Sequence, residues 1–116
     1  MRKGFENRMV RHVRTFFREP CLDLGDEGTR KAVAHGIRRA ASYGIVAQRD
    51  VCQYINVMFT FGRNFDADPA QPWAARILGD ESITNPSKKM DAVYNEALLH
   101  TDDATPIGSD TQEAPQ

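Results

Sequence analysis

Val51, Tyr54, Ile55, Met58 and Phe59 stand at offsets of 0, 3, 4, 7 and 8 along one segment of the chain. These offsets put all five side chains on a single stripe of an α-helix, whereas a strand of period two would scatter them over both faces. The β-branched and aromatic content would suit a strand. The offsets and the length of the segment decide for a helix from Gln48 to Phe61, closed by Gly62. A stripe this apolar must be buried against other elements, and the remaining segments that offer a matching face also read as helices.

The first of them runs from about Gly4 to Glu19. Phe5, Met9, Val13, Phe16 and Phe17 share one arc, with Arg8, Arg11, Arg14 and Arg18 opposite. Pro20 is expected to stop this helix, since proline disfavours the helical conformation in the residue before it, and Cys21 to Gly25 then forms a connector. A second helix begins near Asp26 or Thr29, either able to cap free backbone N–H groups, and runs to Tyr43. Val33, Gly36, Ile37 and Ala40 face inward, Gly44 is a left-handed C-cap and Ile45 is the hydrophobic residue of a Schellman motif. Pro72 at a first helical position opens a short helix from Trp73 to Leu78, ended by Gly79. Asn85-Pro86 repeats that opening for a last helix to about His100, with Met90, Val93, Tyr94, Ala97 and Leu98 as its core stripe. Thr101 to Gln116 is polar and acidic and is expected to be disordered. The expectation is an all-α compact bundle of four to five helices: one domain over residues 1–100 and a flexible tail over 101–116.

Charge is divided along this framework. Residues 1–63 carry twelve Lys and Arg against six Asp and Glu, a balance of +6, and residues 64–116 carry three against ten, a balance of −7. The total of −1 is therefore a cancellation of opposed halves. Such a chain can dock partners through either end, or turn its halves towards each other. No apolar run exceeds three residues, which excludes a transmembrane helix. The amino terminus lacks the apolar stretch of a secretory signal. A cytoplasmic protein is the expectation.

Catalytic and metal chemistry finds little footing. His12, His35 and His100 have no second ligand at a repeating spacing, and His35 shares its helix face with Lys31, Arg38 and Arg39, a cationic setting unsuited to a metal. Asn64-x-Asp66-x-Asp68 opens like a calcium loop, but Pro69 stands where glycine is required and Ala75 where glutamate is required. Turn chemistry accounts for it better, with Asp66 bonding its own loop backbone. Cys21 and Cys52 cannot form a four-ligand zinc site unaided and read as buried thiols. No phosphate loop, GxSxG elbow or HExxH is present. Neither a cofactor nor an enzymatic activity is expected.

Two surfaces offer binding chemistry. One is basic: the arginine strip of the first helix, or Lys31, His35, Arg38 and Arg39 on the second. The other is the aromatic loop, where Phe61, Phe65 and Trp73 are interleaved with Arg63, Asp66 and Asp68. Loop aromatics either anchor a partner or seal the core beneath them.

The strings Arg30-Lys31-Ala32-Val33-Ala34-His35-Gly36-Ile37-Arg38-Arg39-Ala40-Ala41-Ser42-Tyr43-Gly44-Ile45 and Asp50-Val51-Cys52-Gln53-Tyr54-Ile55-Asn56-Val57-Met58-Phe59 carry a resemblance. With Phe61-Gly62-Arg63-Asn64-Phe65-Asp66 and Pro72-Trp73-Ala74, they resemble small helical proteins of Gram-negative bacteria encoded beside type VI secretion effectors and their adaptor/chaperone proteins. The resemblance covers roughly residues 5–100. It implies an accessory role, a co-chaperone binding the adaptor/chaperone that loads a toxin onto the secretion spike, and it brings no catalytic residues. Ala47, where a capping residue would suit the third helix, and the acidic tail depart from the pattern.

The functional expectation is a non-enzymatic protein-binding module. Lys31, His35, Arg38, Arg39, Arg63, Phe65, Asp66 and Trp73 are its candidate partner-binding residues. A nucleic-acid-associated regulator using the basic first helix and an immunity protein for a secreted toxin are the alternatives. The acidic second half counts against nucleic acid.

Overall fold

Five α-helices make up the fold in a computed structural model that describes residues 2–104 and 106–107: α1 (Arg2–Phe16), α2 (Arg18–Ser42), α3 (Gln48–Phe61), α4 (Pro72–Leu78) and α5 (Pro86–Leu99). There is no strand among the described residues, so the all-α expectation holds. None of the helices is long and apolar enough to cross a membrane.

The core forms around α3. Val51, Tyr54, Ile55, Met58 and Phe59 are all buried, as their spacing requires. Val10 and Val13 of α1, Val33 and Ala40 of α2, and Met90 and Val93 of α5 close over them. α2 comes close to α3 at Gly36, where an added Cβ would lie 3.0 Å from Met58 Cε and 3.1 Å from Ile55 Cγ1. A side chain at this position would make Met58 and Ile55 give way by a few tenths of an ångström, so glycine permits the close approach. α2 ends in the expected Schellman motif. Gly44 adopts φ 81°, its N–H donates to the carbonyl of Ala41, and the Ile45 N–H reaches the carbonyl of Ala40. At α5, the Asn85 side chain accepts from the N–H groups of Ser87 and Lys88, with Pro86 at the first helical position. Ala47 supplies no side-chain cap to α3.

The order of contacts gives the helix directions. Arg8 donates to Gln48 at the start of α3, and Phe17, just past α1, meets Phe59 near the end of α3, so α1 and α3 run parallel. Ser87 in the first turn of α5 donates to Asp50 in the first turn of α3, and α5 runs the same way. α2 runs antiparallel to α1 and α3 and packs on both. Three helices thus end at one pole of the molecule.

Two expectations need correction, and a third needs a new boundary. The first break falls at Phe17 (φ −129°, ψ 58°) and not at Pro20. Pro20 is the third residue of α2, where a missing N–H costs nothing because first-turn donors lack helical acceptors. The expected connector is likewise helical, and α2 kinks instead at Gly25 (φ 75°, ψ 175°), a conformation open to glycine. The helix continues from Asp26, as one of the two expected starts has it. The expected disordered tail opens with a 3₁₀ turn, Thr101–Asp103, and Ile107 is buried in the core. Residues 105 and 108–116 of that expectation lie outside the described residues.

Candidate functional site

Between the parallel helices α1 and α5 lies an open groove of about 360 Å³. Its floor is the last two turns of α3, presenting Asn56, Val57, Thr60 and Phe61. One wall carries His12, Phe16 and Phe17, and the other carries Tyr94, Ala97, Leu98 and Thr101. α1 and α5 both pack on α3 without closing over it, so the floor stays accessible. Two rim residues stand out against the expected core stripes: Phe16 is 69% exposed and Leu98 56% exposed. Leu22, Val46 and Leu99 are as exposed but do not line the groove. Single exposed apolar residues are common on protein surfaces, and it is a contiguous apolar patch along a groove that marks an interaction surface.

The floor also holds polar groups. His12 Nε2 and Asn56 Oδ1 are hydrogen-bonded at 2.8 Å, the His12 ring lies against Phe16 at 4.9 Å, and Cys52 Sγ is 3.9 Å from the same Nε2. Cysteine, histidine and asparagine together suggest a nucleophilic triad, but the arrangement lacks that geometry. A triad histidine needs the nucleophile on one ring nitrogen and the orienting group on the other, and here both address Nε2. Burial also pushes the Cys52 thiol above its ordinary pKa, which favours the unreactive protonated form. The cluster therefore serves to fix the His12 ring and leaves a small polar spot in the groove.

The candidate residues named from the sequence lie elsewhere, and they divide into two groups. Phe65, Asp66 and Trp73 are buried, so of the two readings of the aromatic loop it is core-sealing that their placement matches. Trp73 stacks on His100 (5.2 Å, interplanar angle 4°) and takes Phe61 edge-on, while its indole N–H donates to Gln71 at 3.0 Å. Asp66 turns inward instead of bonding its own loop. It accepts from Arg39 Nε at 2.9 Å, from Arg39 Nη2 and from the Tyr43 hydroxyl at 2.7 Å, which removes it from any calcium loop. The Asx turn falls to Asp68, which accepts from the Ala70 N–H.

His35, Arg38 and Arg63 are brought together at the same corner. Burial lowers the His35 pKa most, and the charges of Arg63 and Arg38 push it the same way. Arg38 and Arg63 are exposed, whereas Arg39 is committed to Asp66 and Lys31 to Glu27, 3.5 Å away. The arginine strip of α1 is partly engaged as well: Arg14 pairs with Asp26 at 2.6 Å, and Arg8 is held by Gln48. Among the described residues, no group of three potential metal ligands is found.

Sequence reasoning missed the groove itself. Phe16 and Leu98 read as core, because both sit on apolar arcs. Asn56 and Thr60, four residues apart on the flank of the α3 stripe, were the available sign that part of this helix faces something other than core. No protein-family model matches the chain, and no curated protein or solved structure shows significant similarity to it.

Proposed function

We propose that the chain is a non-enzymatic, cytoplasmic protein-binding accessory, a co-chaperone that engages the adaptor/chaperone loading a type VI secretion effector, and that it does so through the groove between α1 and α5. The observation that carries the binding part is the groove: apolar, open, and rimmed by exposed Phe16 and Leu98. Grooves between helices receive amphipathic segments by burying the apolar face of the guest. The secretion context rests on the sequence resemblance over residues 5–100. A role without chemistry accords with the His12, Cys52 and Asn56 cluster, whose geometry does not activate a nucleophile.

Co-expression with a type VI adaptor/chaperone of the kind proposed tests the reading. The wild-type chain should co-purify with the adaptor, and the Phe16→Asp/Leu98→Asp double variant should not, while keeping its helical content. A complex that survives both substitutions contradicts the groove. A complex formed with the toxin instead of the adaptor marks an immunity protein.

A further inference from the structure

We draw no further inference here: the strongest candidate, the open groove between α1 and α5 rimmed by exposed Phe16 and Leu98, carries none beyond the proposed function because nothing in the structure shows what covers it.

Discussion

Arg39 and Asp66 join α2 to the α3–α4 loop through a carboxylate that is almost fully buried, while the guanidinium remains 39% exposed. Both Arg39 Nε and Nη2 address one oxygen, Oδ2, and the Tyr43 hydroxyl donates to that same atom. The loop that carries Phe65 into the core is thus fastened by a single acceptor. Removing the cation leaves a buried charge with one neutral donor. Arg39→Ala should therefore destabilise the fold by about 2–3 kcal/mol in urea unfolding, less than the ~3–5 kcal/mol of a fully buried pair because Arg39 is partly solvated. Asp66→Asn should cost a similar amount, and the double variant less than the sum of the two. Strict additivity would contradict a direct coupling.

The same corner makes stability depend on pH at both ends of the range. Burial, then the hydrogen bond to Asp66, pushes Tyr43 up to about 12. Between about 10 and 12 the unfolded chain loses this proton and the folded chain keeps it, so stability falls as pH rises through that window. His35 is displaced in the opposite sense, its folded pKa lying below 6.5 because of burial and the nearby Arg63. Below about 6.5 the unfolded chain binds a proton that the folded chain resists, and stability falls as pH drops. Thermal melts across pH should show both limbs. Tyr43→Phe should lessen the alkaline one, to which Tyr54, its pKa also raised by burial, contributes as well, and His35→Gln should flatten the acidic one just below pH 6.5.

Trp73 is the only tryptophan in the chain and is 3% exposed. Its fluorescence should be that of a buried indole and should shift to longer wavelength on unfolding. Trp73→Ala should cost about 3–5 kcal/mol, a large share of the roughly 5–15 kcal/mol that holds an ordinary domain folded. A well-folded Trp73→Ala protein that merely lost a partner would place the indole on the surface.

Ile107 reaches back into the core from beyond α5. Ile107→Ala should lower stability by about 2 kcal/mol, at the low end for a buried isoleucine because its segment is short and terminal. An unchanged denaturation midpoint would show that this anchor contributes nothing.

Most of the fold could be read from spacing. The α3 stripe, the Gly44–Ile45 motif and the Asn85-Pro86 start are local patterns whose physics needs no tertiary context. Pro20 misled because a proline ends one helix and opens the next with equal ease, and only the geometry at Phe17 tells which residue breaks. Ile107 was hidden because one apolar residue in a polar stretch has no period. For the site, the loop aromatics left anchor and core open, and their burial decides between them. Phe16 and Leu98 carry the periodicity of core residues. Their exposure comes from the separation of α1 and α5 across α3, a tertiary relation that no single segment encodes.

The most direct test of the groove is amide chemical-shift mapping of the labelled chain titrated with the type VI adaptor/chaperone proposed as its partner. The largest changes should fall on Phe16, Asn56, Thr60 and Leu98. Changes confined to Lys31, Arg38 and Arg63, with the groove residues unmoved, would contradict it.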